Sequence, residues 1–138
     1  MKAKEYLRQV RQMDAVVKAK METVRQLREQ AAGIRAMRYD GDRVQHSDIV
    51  GLDVLVAKIC AYEQDVNDDI AELLRLRKEV ANRIDQLQDN RYKAVLIQYY
   101  INAKTWEQIA ATLHYSERQI QRLHGEALIE FKRCHKMS

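Results

Sequence analysis

Glu117, Arg118, Gln119, Gln121 and Arg122 crowd hydrogen-bonding side chains into one and a half helical turns. Each type has a matching edge on a DNA base pair. Arginine reaches guanine O6 and N7 with two N–H groups, glutamine pairs with adenine N6 and N7, and glutamate accepts from cytosine N4. Ser116 stands just ahead of this run, and Lys104-Thr105 lies a dozen residues upstream. A helix N-terminus with a lysine beside it suits a phosphate oxygen. The chemistry on offer is therefore base reading by Glu117, Arg118, Gln119, Gln121 and Arg122, with phosphate contacts at Lys104, Thr105 and Ser116.

Such a face needs a frame that turns it outward. Ile109 and Leu113 make one inner helix face, Ile120 and Leu123 a second, and Leu128 and Phe131 continue it. Ala110 is small where the two helices must cross. Thr105 with Gln108 and Ser116 with Gln119 each have capping-box spacing, so helices begin at both places. His114-Tyr115-Ser116 makes the turn, and Trp106 packs there or in the core. The third helix, Arg91–Ile101, follows a cap at Asp89-Asn90 and offers Val95, Leu96, Tyr99 and Tyr100. The pattern predicts a helix-turn-helix over 105–131, with His124 on the outer face beside the base-reading residues.

Ahead of it the periodicity changes scale. From Tyr6 the apolar positions run Val10, Met13, Val17, then Val24, Leu27, Ala31 and Ile34, a heptad seam broken only at Lys20. A second seam covers about 49–88: Leu52, Leu55, Ile59, Tyr62, Val66, then Asp69 or Ile70, Leu73, Leu76, Val80, Arg83 or Ile84, and Leu87. Residues 39–50 read as a connector, with turn chemistry at Tyr39-Asp40-Gly41-Asp42 and a cap at Ser47 or Asp48. The chain has no proline, so nothing interrupts such helices. The fold class expected is all-α: residues 1–88 as two long helices forming a coiled-coil or antiparallel hairpin arm, then 89–138 as a three-helix helix-turn-helix domain. Each long helix could equally pair with a second copy of the chain, and a homodimer through the arm is the expected assembly.

Charge and composition exclude several classes. Residues 1–38 carry ten Lys/Arg against four Asp/Glu, residues 39–90 six against twelve, and residues 91–138 eight against four. The last block is the footprint of a polyanion binder, and the first two suggest either mutual pairing or solvated helix faces. Cys60 falls in an apolar stripe and is expected to be a buried small hydrophobe. Cys134-His135 is read as a frayed tail, with no metal-ligand spacing anywhere. No apolar run approaches the roughly 20 residues of a membrane span. Met1–Glu5 has no signal-peptide core, so a cytoplasmic location is expected. No nucleophile–base pair or phosphate-cradling loop occurs, so no enzyme activity, cofactor or metal is expected.

The stretches Arg91-Tyr-Lys-Ala-Val-Leu-Ile-Gln-Tyr-Tyr, Thr105-Trp-Glu-Gln-Ile-Ala-Ala-Thr-Leu and Tyr115-Ser-Glu-Arg-Gln-Ile-Gln-Arg-Leu, with Ala127-Leu128, resemble region 4 of bacterial sigma-70 factors. The whole chain resembles the phage-encoded regulators of the ArpU/RinA late-gene activator type from Gram-positive hosts. The resemblance implies a promoter-binding transcription activator that works with host RNA polymerase in a bacterial cell. It makes Arg118 and Arg122 the foremost base-contact candidates. One departure from the pattern is His114, where the turn ordinarily has glycine. The alternatives are a packaging protein of terminase-small-subunit type and a sigma mimic that grips polymerase without DNA.

Overall fold

In the computed structural model, residues 2–40 and 46–137 are described, with side chains described outside 38–50. They form five α-helices: α1 (Ala3–Asp40), α2 (His46–Ile84), α3 (Asn90–Leu96), α4 (Trp106–Leu113) and α5 (Glu117–His135). A π-helical turn, Ile97–Ile101, extends α3. No strand occurs among the described residues, and the protein is all-α. No described helix is long and apolar enough to cross a membrane.

The long helices form where the heptad seams predict them, with shifted ends. α1 runs through Gly33 to Asp40, and α2 begins at His46, so Ser47 and Asp48 are helical and not caps. α2 stops at Ile84, four residues before the expected end. Residues 41–45, the middle of the expected connector, lie outside the described residues.

The described chain divides into two compact units, residues 16–71 and residues 1–15 with 72–138. Within 16–71, Ala31, Leu52 and Ile59 are buried together, with Leu27, Ile34, Leu55 and Val56 packed around them. Lys20 pairs with Asp69, and Arg28 with Glu63, so the two segments run antiparallel here. Lys20, the polar break of the first seam, thus finds its partner in Asp69 of the second. The charge asymmetry of these segments is used only in part, because Arg25 pairs with Glu22 and Glu29 on its own helix. Cys60 is exposed, contrary to expectation. It immediately follows the buried Ile59, and one residue is a 100° rotation around a helix.

In the other unit, Leu7, Val10, Val80, Ile84, Val95, Leu96, Tyr100, Ile109, Ile120 and Phe131 are the fully buried large side chains. The core therefore draws on the first turns of α1 and the last turns of α2 as well as on α3–α5. The Tyr6 ring stacks on Phe131 at 6.2 Å, and the Arg83 guanidinium lies 4.8 Å over Tyr6. Of the two seam candidates Arg83 and Ile84, Ile84 is the one fully buried, while Arg83 covers the Tyr6 ring. The Tyr6 hydroxyl donates to Glu79 at 2.9 Å. Burial and that neighbouring carboxylate push the Tyr6 phenol up to about 12. Buried Asp14 accepts from Arg77 at 2.6 Å. α5 does not fray near Lys132, since His135 donates from Nε2 to the Arg83 carbonyl at 2.8 Å.

Candidate nucleic-acid interface

The three helices α3, α4 and α5 start where the side chains dictate. Asp89 caps α3, accepting from the Arg91 N–H at 2.8 Å. Thr105 accepts from the Gln108 N–H while the Gln108 side chain accepts from the Thr105 N–H. Ser116 and Gln119 repeat this reciprocal box at α5. Each cap satisfies N–H groups that a helix end leaves unpaired, and each is worth about 1 kcal/mol.

Between the helices the chain must reverse. His114 does so at φ 62° and ψ 41°, the left-handed region, and the Tyr115 N–H then closes on the Ala110 carbonyl at 3.0 Å. A residue with a Cβ is strained there, whereas glycine is not. His114→Gly is therefore expected to stabilise the protein by about 1 kcal/mol, within the range for relieving a left-handed residue. Urea unfolding checks this; an unchanged or lower midpoint would mean that the imidazole makes a compensating contact.

Val95, Ile109, Ala110, Ile120 and Leu123 form the core beneath the turn, with Tyr92, Tyr99, Trp106, Leu113 and Tyr115 half-buried around it. Leu128 is half-buried and Phe131 fully buried. Trp106 packs rather than projects: its ring stacks on Tyr99 at 3.9 Å and meets His124 edge-on at 4.8 Å. Arg118 and Arg122 take the opposite face with Gln119 and Gln121 on its flanks, Glu117 lies at the helix start nearer Ile120, and all five are exposed. Lys104, Thr105 and Ser116 are exposed as well.

The side chains differ in what they have free. Gln119 spends its carbonyl oxygen on the cap. Arg122 faces Glu126 at a loose 3.8 Å. No ion pair engages Arg118 among the described residues. Ser116, Arg118, Gln119 and Arg122 together line one open recess. At 100° per residue, Arg118 and Arg122 top the outward ridge of α5, Gln121 lies on one flank and Gln119 on the other.

His124 departs from expectation. It is buried, and its Nε2 shares a 2.7 Å hydrogen bond with the buried Tyr100 hydroxyl. Its angular position lies only 40° beyond Ile120, so the inner face is wider than the apolar pattern marks. Burial, reinforced by Lys4 and Arg8, pushes its imidazole down to about 4. Burial also pushes the Tyr100 phenol up to about 12.

A folded-state pKa below the unfolded value near 6.5 makes the unfolded chain the better proton acceptor. This contribution is fully present above pH 6.5 and is lost as the pH falls toward 4. The loss is on the order of 3 kcal/mol. Urea unfolding at pH 7 and pH 4.5 should show it in the native chain and much less of it in a His124→Gln variant. Equal acid sensitivity of the two would assign the loss to other groups.

Sequence reasoning missed Arg11. Its guanidinium donates to the Tyr99 carbonyl at 2.7 Å and the Lys104 carbonyl at 3.0 Å, and it lies 4.1 Å over the Tyr99 ring. It thereby fixes the loop ahead of α4, where Ala103 takes the left-handed φ of 56°. Lys4 and Arg8 were also missed. They line a cleft with Tyr99, Trp106, Gln121 and His124. Nothing local marks these three residues, because they sit in a heptad pattern about ninety residues upstream of their neighbours.

Residues 33–132 match the family described as "Protein of unknown function (DUF1492)". The chain belongs to this family. The match reaches from the last turns of α1 through most of α5, so it takes in α2, α3, α4 and the exposed face of α5 but little of α1. No match to the DUF1492 chain was found among the curated proteins or the solved structures.

Proposed function

We propose that this DUF1492 protein binds double-stranded DNA sequence-specifically through α4 and α5 acting as a helix-turn-helix, and regulates transcription. The observation that carries the reading is the exposed run on the first two turns of α5. Glu117, Arg118, Gln119, Gln121 and Arg122 all face solvent while Ile120 and Leu123 anchor the same turns in the core. A recognition helix presents its N-terminal turns to the major groove in this way. Arg118 and Arg122 read base edges, while Lys104 and the capped helix starts at Thr105 and Ser116 hold phosphates.

The likeness of these stretches to sigma-70 region 4 supports a promoter-proximal site. In this reading the protein is a phage or prophage late-gene activator that works with host RNA polymerase. The long helices serve as a coiled-coil arm for dimerisation or polymerase docking.

Titration of a labelled duplex at increasing salt tests DNA binding itself. Each phosphate neutralised by a lysine or arginine contributes about −0.9 to the slope of log affinity against log salt. Lys104 alone makes affinity fall at least about 3.5-fold between roughly 50 and 200 mM salt. An absence of binding at low salt would reject the proposal in favour of a protein-only interaction module.

A further inference from the structure

We propose that Lys4 and Arg8, on the first turns of α1, form a second phosphate clamp beside α5, so that the DNA backbone is held from α1 as well as from α4 and α5. This rests on the DNA-binding reading above and extends its contact surface.

Lys4 and Arg8 are one turn apart and therefore share a helix face. Both are exposed, and no carboxylate pairs with either among the described residues. Their face is held in place, since Arg11, one turn further along, is bound to the carbonyls of Tyr99 and Lys104. The two cations border the same cleft as Gln121, which is the base-reading residue on that flank of α5. Their proximity is felt in the core, where both help to hold His124 in its neutral form.

The cleft has unpaired positive charge at its rim and aromatic rings in its wall. The rings are not open platforms for a nucleobase. Tyr99 is stacked on Trp106 and covered by Arg11, and Trp106 also meets His124. An anion at the rim is the ligand that matches this chemistry. With the Arg118–Arg122 ridge in the groove, the rim on the Gln121 flank faces the sugar-phosphate strand bordering that groove. A backbone phosphodiester is the anion presented there.

The test compares the full-length protein with the double variant Lys4→Gln, Arg8→Gln, and with a charge-matched control, Arg25→Gln, Arg28→Gln, on a duplex of random sequence. The first variant should flatten the salt slope by about 1.8, two contacts' worth, which shrinks the response to a fourfold salt change about 12-fold. The control should keep the native slope. NMR titration of His124 supplies the readout of placement, and removing Lys4 and Arg8 should move its pKa upward. A native slope in the Lys4/Arg8 variant, an equal loss in the control, or an unmoved His124 overturns the clamp. If the native protein binds and only the clamp fails, the DNA-binding reading stands. If the native protein does not bind, both fall.

Discussion

Replacing Leu7 by alanine is expected to lower the unfolding free energy by about 2–5 kcal/mol, the usual cost of emptying a fully buried leucine site. Leu7 is completely buried, and residues 1–15 belong to the same compact unit as 72–138. The loss should be visible at Trp106, the only tryptophan, which lies about a hundred residues downstream on α4. Domains of this size are stable by only about 5–15 kcal/mol, so the effect takes a large share. Urea unfolding followed by tryptophan fluorescence makes the measurement. An unchanged Trp106 transition would mean that α3–α5 fold without α1, and that the burial of Leu7 and Val10 belongs to a separate event.

The second large effect concerns binding. Arg118→Ala and Arg122→Ala should each weaken binding to a preferred duplex by about 1–3 kcal/mol and relax selectivity at one base pair. Neither should disturb the fold. Among the described residues Arg122 forms an ion pair only with Glu126, loosely and at an exposed site, and such pairs are worth about 0–1 kcal/mol. Gln119→Ala is a different case. It removes half of the capping box at Ser116, so stability falls along with any binding loss. The arginine variants therefore separate recognition from folding where the glutamine cannot.

Much of the local structure was legible because it depends on local chemistry. Thr105 with Gln108 and Ser116 with Gln119 announce helix starts at a fixed three-residue spacing, and both boxes form. The seams from Tyr6 and Leu52 face inward because a 3.5-residue repeat keeps one stripe on one side. His114 stood out as a side chain where glycine is usual, and it takes the left-handed conformation.

What sequence could not convey is which distant surfaces meet. Nothing around Arg11 signals that its partners are the carbonyls of Tyr99 and Lys104. His124 looks like one more polar residue of the outer face until Tyr100 supplies a buried hydroxyl for it. Cys60 looked like part of the apolar stripe, yet its neighbour Ile59 takes the inward position. Charge counts alone also do not say which basic residues of α1 pair and which face solvent. Lys20 and Arg28 pair with Asp69 and Glu63, while Lys4 and Arg8 are exposed.

The central claim is that the exposed ridge of α5 reads DNA sequence. Selection of bound duplexes from a random pool, run in parallel on the native protein and on Arg118→Ala and Arg122→Ala, tests it most directly. The native protein should enrich one motif, and each variant should lose preference at a single, different base pair. Recovery of no enriched sequence, or of the same motif from all three proteins, would contradict it.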